Sequence, residues 1–327
     1  MKPIIKWPGG KRELCPKILE LLPSTYNNYY EPFLGGGAVL LNLDLNPNLN
    51  PKEAVVNDVN SELINMYLQV RDNVEKVIDF LVILDVTHEH TDDPKEFYYA
   101  VRADYNRTLG CNTPAQAAQF IYLYKHCFNG LYRVNSKGEF NVPFNGKLSG
   151  RSADPDHLRE LSSRLKKVHI LNTDFKSAVK DAKEGDLVYL DPPYDKDEDI
   201  STAGFVAYQK DGWSRTDTTR LKTVCDDLTN RGCKVVVSNN DTTFIRELFS
   251  NYNIVEVTAR RSINRNGSDR KGKEVIITNY SLEDKRVPDI LSVDLHDSDV
   301  IISDTYNKLY SELGLPEDRL INKENTL

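Results

Sequence analysis

Short β-branched runs alternate with helical patterns along this chain, and that alternation restricts the fold more than any other feature. "NNYYEPF", "KEAVVND", "KKVHILNTD", "GDLVYLDPPY", "GCKVVVSNND" and "YNIVEVTARR" each read as a buried strand. Between them lie helical patterns. "VNSELINMYLQVRD" has Asn60 or Ser61 as its N-cap, and "TDTTRLKTVCDDLTNRG" covers 216–232. After the first strand, "GGGAVLLNL" predicts a turn and then an apolar helix. Strands and helices in this order imply an α/β protein with a parallel sheet and helices on both faces.

The middle of the chain breaks the pattern. From about 72 to 130 it is helical without a strand, including "PKEFYYAVRADYNRTL" and "TPAQAAQFIYLYKHCF". "NGLYRVNSKGEFNVPFNGK" then predicts a hairpin turning at Asn135-Ser136-Lys137-Gly138. This segment reads as a small helical domain with a hairpin, inserted between strands of the sheet.

Charge is unevenly spread. The chain has a net charge of −7, but residues 289–327 hold nine acids against three bases, so the remainder is nearly neutral. Within that remainder, 125–151 has five bases against Glu139, and 260–273 has six against Asp269. Two basic patches on a neutral body suit a polyanion binder, and solvated loops account for them as well. No apolar run reaches the roughly 18 residues that span a bilayer, and "MKPIIKWPGGKREL" lacks a signal peptide's apolar stretch, so a cytoplasmic protein is expected. The five cysteines form no Cys-x-x-Cys pair, which supports neither a disulfide framework nor a zinc site. His88 and His90 in "THEH" have no second pair of ligands, and a solvated loop is the reading there; no metal is expected.

Four stretches carry chemistry. In Lys6-Trp7-Pro8-Gly9-Gly10-Lys11 the glycines permit a turn close to a ligand, Trp7 offers a stacking face and Lys11 a cation. A purely structural turn fits the same residues. Glu31-Pro32-Phe33-Leu34-Gly35-Gly36-Gly37 forms a glycine-rich strand-to-helix turn that can pack against a nucleoside-containing ligand, although it lacks Gly-x-Gly-x-x-Gly spacing. Asp58 closes the next strand, where a carboxylate can accept hydrogen bonds from ribose hydroxyls or cap a helix.

The fourth stretch, Asp191-Pro192-Pro193-Tyr194, ends an apolar strand. An aromatic amine is a poor nucleophile because its lone pair is delocalised. Two acceptors on its N–H groups favour a pyramidal nitrogen with the lone pair aimed outward. The Asp191 carboxylate is one acceptor and the Pro192 carbonyl the other, held by two rigid prolines, while Tyr194 stacks on the ring.

Together these stretches resemble the Dam-type DNA adenine-N6 methyltransferases, the α group or D12 class. "KWPGGK", "EPFLGGG", an insert and "DPPY" occur in the family's order, "FNGLYRVNSKGEFNVPF" at 128–144 matches its hairpin, and the resemblance spans roughly residues 3 to 282. It implies a Rossmann-like S-adenosylmethionine-dependent methyltransferase sheet, with an inserted, mainly helical target-recognition domain bearing a β-hairpin. The implied boundaries are 1–71 and 152–284 for the catalytic domain and 72–151 for target recognition; the chain departs from the family in its acidic extension, 285–327, whose residues suggest one helix around 299–313.

The resemblance also implies that Trp7, Lys11, Phe33, Gly35, Gly37, Asp58 and Asp191 hold S-adenosylmethionine. Asp191, Pro192 and Tyr194 would hold an adenine flipped out of duplex DNA. Arg133 would reach a guanine edge, with Asn129 and Asn135 as further polar contacts and Lys137 and Lys147 on phosphates. Family members with a similar hairpin often act on GATC or other GAT-containing sites; a partner to a restriction endonuclease, a phage protection factor and an orphan regulator all stay open, and a monomer is the default for a substrate with one target base per strand. The same tetrapeptide also permits methylation of RNA or of a protein amide, and a non-catalytic DNA-binding descendant is the reading from another class.

Overall fold

The computed structural model describes residues 1–45, 53–147, 150–195, 212–260 and 271–281. The stretch 261–270, which holds Arg261, Arg265 and Arg270 of the second basic patch, lies outside the described residues, as does everything after 281, including the tail helix expected near 299–313.

Met1–Ser281 is one compact unit built on a seven-stranded sheet. The strands are β1 (Tyr29–Glu31), β2 (Ala54–Asn57), β3 (Val168–Leu171), β4 (Leu187–Leu190), β5 (Lys234–Asn240), β6 (Asn253–Arg260) and β7 (Lys271–Thr278). Their order is β3-β2-β1-β4-β5-β7-β6. Pairing among β3, β2, β1, β4 and β5 is parallel, and β7 runs antiparallel to both β5 and β6. A parallel strand covered on both faces must be apolar throughout, which is why all four residues of β4 are buried. β7 is the strand that the pattern reading did not single out.

Helices cover the sheet. They are α1 (Cys15–Leu21), α2 (Ser61–Asp72), α3 (Val74–His90), α4 (Pro94–Arg107), α5 (Pro114–His126), α6 (Pro155–Leu165), α7 (Phe175–Ala178), α8 (Arg215–Asn230) and α9 (Thr243–Leu248). Their starts are written in the sequence. Asn60 caps α2 by accepting from the Leu63 N–H, and Ser214 with Asp217 forms a capping box on α8. Asp93-Pro94, Thr113-Pro114 and Asp154-Pro155 start α4, α5 and α6 with a capping side chain followed by proline. Val188, Leu190, Val235 and Val237 of the sheet pack with Leu221 and Leu228 of α8 in the main apolar core.

The helix expected after the glycine loop forms as a 3₁₀ helix, Leu40–Leu45, and two other expectations change. Its Leu40 N–H donates to the Glu31 carboxylate at 3.2 Å, so a buried side chain sets the local geometry. "THEH" is not a solvated loop: it ends α3, whose period puts Val77, Ile78, Leu81, Asp85 and His88 on one buried face. His88 Nδ1 lies 2.7 Å from the Tyr122 hydroxyl, and its ring packs 4.2 Å from that of His126. Finally, the hairpin turn forms where expected, but its arms meet only at the bridges Val134–Phe140 and Cys127–Phe144. Asn106 of α4 takes a strand's place there, accepting from the Phe140 N–H at 2.8 Å and donating to its carbonyl at 3.0 Å.

Strand order positions the site. From β1 the chain moves outward through β2 to β3, then returns to β4 on the other side of β1 and continues to β5. The crevice over the C-terminal ends of β1 and β4 is the point where the winding reverses, and open α/β sheets bind ligands at such points.

Candidate active site

Glu31, Asp58, Asp191 and Asn240 come from the C-terminal ends of β1, β2, β4 and β5 and line one cavity of about 350 Å³. That volume falls in the range for small-molecule sites. Trp7, Lys11, Phe33, Gly35, Pro192 and Tyr194 line it too, so most of the residues expected to hold cofactor and base converge. Gly37 does not line it; its positive φ of 69° turns the chain behind the loop, against the Tyr67 hydroxyl.

One side of the cavity is built around the glycine loop. Asp58 Oδ2 accepts from the Gly35 N–H and Oδ1 from the Asn60 N–H, both at 2.9 Å, which fixes the glycine loop to the end of β2. Desolvation raises the Asp58 pKa against these bonds. Gly35 has φ 49°, and a Cβ there would lie 2.8 Å from Trp7 Cδ1, so only glycine allows the loop and the indole to touch. Phe33 stacks on Phe175 at 5.3 Å and meets Trp213 edge-on. Burial pushes Glu31 up to about 8, against bonds from the Tyr29 hydroxyl at 2.9 Å and the Leu40 N–H.

The other side is the tetrapeptide. Lys11, only 7% exposed, places its ammonium 2.8 Å from Asp191 Oδ1 and 4.4 Å from the centre of the Tyr194 ring. Burial pushes Asp191 up to about 6, and the Lys11 charge opposes that rise. The Tyr194 hydroxyl donates to Glu274 Oε2 at 2.8 Å. Asp195 anchors the exit: its N–H donates to Asn239 Oδ1, and its carboxylate accepts from Thr242 and meets Arg215 Nε at 3.1 Å.

The hairpin residues are not in this cavity. Arg133 is exposed, and its fork folds onto Asn141, donating from Nε to Oδ1 at 2.7 Å and from Nη2 to the carbonyl. Asn135 spends its amide on the turn: Oδ1 accepts from the N–H groups of Lys137 and Glu139, and Nδ2 donates to Glu139 Oε2. Asn129 is exposed with φ 55°, and Lys137 and Lys147 are exposed.

Cavity and hairpin join through Tyr132, which stacks on Trp7 at 5.2 Å. Tyr132, Glu274 and Asn240 carried no role in the sequence reading. The one signal for Glu274 was a lone carboxylate inside the apolar run "KEVIIT"; Tyr132 had none. Among the described residues no cluster of three or more His, Cys, Asp or Glu side chains could hold a metal.

The sheet, with β7 reversed between β5 and β6 and an Asp-Pro-Pro-Tyr crevice at its switch point, makes this an α/β protein with a ligand site over the ends of its parallel strands. Residues 7–263 match the family of D12 class N6 adenine-specific DNA methyltransferases, and the chain belongs to it. The Type II methyltransferase M1.LlaDCHI of Lactococcus lactis subsp. cremoris is 38% identical over 285 residues, 86% of this chain and 96% of that protein. M.MjaIII of Methanocaldococcus jannaschii, also a Type II methyltransferase, is 38% identical over 291 residues, 86% of this chain and 99% of its own length. The DNA adenine methylase of Haemophilus influenzae is 32% identical over 278 residues, 84% of this chain and 92% of that protein. The protein is therefore a DNA adenine-N6 methyltransferase of the D12 class.

Proposed function

We propose that S-adenosylmethionine is the methyl donor and that the acceptor is an adenine flipped out of a short, GAT-containing duplex site. One observation carries this reading: Asp191, Pro192 and Tyr194 face the same cavity as the Asp58-tethered glycine loop. The cavity's volume, its glycine wall and the carboxylate at the end of β2 fit a nucleoside-bearing donor. Trp7, Phe33, Gly35 and Asp58 would hold it, with Lys11 beside Asp191, and it would supply a methyl group on a sulfonium.

The chain's own work is positioning. The Asp191 carboxylate and Pro192 carbonyl accept the two N–H bonds of the adenine amine, and Tyr194 stacks on the base. With Asp191 titrating near 6, the carboxylate is ionised at neutral pH and can take the proton that the amine sheds after methylation. Flipping costs a few kcal/mol, offset by this stacking and hydrogen bonding.

Residues 72–151 serve as the target-recognition domain, 1–71 and 152–284 as the catalytic domain and 285–327 as an acidic extension. Arg133 reads a guanine edge from a turn that Asn135 holds, with Asn129 beside it and Lys137 and Lys147 on phosphates. The Type II names of two relatives support a role beside a cognate restriction endonuclease. A cytoplasmic monomer suits a single target base per strand. Incubation with tritiated S-adenosylmethionine and plasmid DNA, followed by mapping of methylated positions, tests donor, base and site together. Label in cytosine, or adenine methylation scattered without a common sequence, would overturn the reading.

A further inference from the structure

Glu274 is an unusual residue for its place. It lies on β7 among Val275, Ile276 and Ile277, all fully buried, and is itself 9% exposed. Burying a carboxylate in a sheet costs free energy unless something compensates. Among the described residues no lysine or arginine pairs with it; its carboxylate accepts from the Tyr194 hydroxyl at 2.8 Å. Register explains the meeting. Glu274 pairs with Asn240 of β5 on one side and Val257 of β6 on the other, so the reversed strand carries it to the rim where Asn240 lines the cavity. Its charge also works against the ionisation of Asp191, the one carboxylate of the tetrapeptide. For the sheet alone an apolar residue would serve better, because it would remove both the desolvation and the repulsion.

We infer that Glu274 is a positioning residue for methyl transfer: it fixes the Tyr194 ring in the plane on which the target adenine stacks. This rests on the assignment of Asp191, Pro192 and Tyr194 to the base. A tyrosine side chain has two torsions. The adjoining Pro193 restrains the backbone before Tyr194, and the hydroxyl's bond to Glu274 restrains the ring, so the base meets a preset surface. Without that bond the ring samples other rotamers, and fewer encounters place the amine between Asp191 and the Pro192 carbonyl.

The test compares Glu274→Ala, Glu274→Gln, Tyr194→Phe and the double variant Tyr194→Phe/Glu274→Ala in steady-state methyl transfer to a duplex carrying the mapped site. Glutamine can still accept from the hydroxyl; alanine cannot. Glu274→Ala is expected to lower kcat by about ten- to a hundredfold, the loss of one hydrogen bond to a charged group, with KM for S-adenosylmethionine unchanged. Glu274→Gln should stay within about threefold of wild type, and the double variant should be no worse than the poorer single one. Wild-type kcat in Glu274→Ala, equal loss in Glu274→Gln and Glu274→Ala, or losses that multiply would each overturn the inference. Should Glu274→Ala not fold, Tyr194→Phe decides: the same loss supports the inference and wild-type kcat overturns it. Asp191→Ala is the control for the underlying reading. If it retains activity the whole assignment falls, whereas its inactivity beside an unaffected Glu274→Ala sinks Glu274 alone.

Discussion

Replacing Lys11 with methionine keeps an unbranched side chain, one atom shorter, and removes the charge that opposes the rise of the Asp191 pKa. Four influences act on that carboxyl: burial raises its pKa first, Lys11 lowers it through charge and a direct contact, Glu274 raises it again and Tyr194 lowers it by hydrogen bonding, with about 6 as the balance. The contact is short, 2.8 Å, and Lys11 is buried beside it, so solvent screens it little. A hydrogen bond between charged partners contributes roughly 1.5–3 kcal/mol, which at about 1.4 kcal/mol per pKa unit is about one to two units. Lys11→Met should therefore move the acid limb of kcat/KM from about 6 to about 7–8, since the ionised carboxylate is the active form.

Stability follows the same sign. Asp191 binds its proton more tightly folded than unfolded, where its pKa is 3.8, so its contribution to stability declines as pH rises from 3.8 through about 6. The variant extends that decline upward, and its thermal midpoint should drop more between pH 5 and pH 8 than that of wild type. The assay is a pH–rate series of methyl transfer from tritiated S-adenosylmethionine to duplex DNA, with midpoints measured in the same buffers. An acid limb that stays where it was would refute the electrostatic account of Lys11.

Further outcomes follow from the same geometry. Asp191→Ala should abolish methyl transfer while far-UV circular dichroism stays native; near-normal turnover would contradict the roles assigned to the tetrapeptide. Gly35→Ala meets both a left-handed φ and the Trp7 ring, and should cost about 2–4 kcal/mol in denaturant unfolding while raising KM for S-adenosylmethionine. Arg133→Ala should relax site choice by about ten- to a hundredfold at one base pair, with a smaller effect on turnover, as read by sequencing methylated positions. Unchanged sequence preference there would remove Arg133 from the recognition surface.

Much of this protein is written locally. Helix starts at Asn60, Asp93, Thr113, Asp154 and Ser214 depend on a side chain and an N–H two or three residues away, a local signal of which the sequence reading used only Asn60. Apolar runs such as "LVYL" and "KVVV" declare buried strands, and the stiff Asp-Pro-Pro-Tyr exit declares a site. What remained hidden depends on partners far apart in the chain. His88 is buried because α5 brings Tyr122 and His126 to it, and the hairpin's second arm pairs with Asn106 rather than with a strand. Tyr132 reaches Trp7, 125 residues earlier in the chain, only in the folded protein. Glu274 meets Tyr194, 80 residues earlier, because β7 inserts in reverse between β5 and β6. Strand order and register are set by the packing of the whole sheet, and no local pattern encodes them. The sequence by itself therefore marked Asp191-Pro192-Pro193-Tyr194 as a candidate site, and the tertiary structure decided which groups surround it.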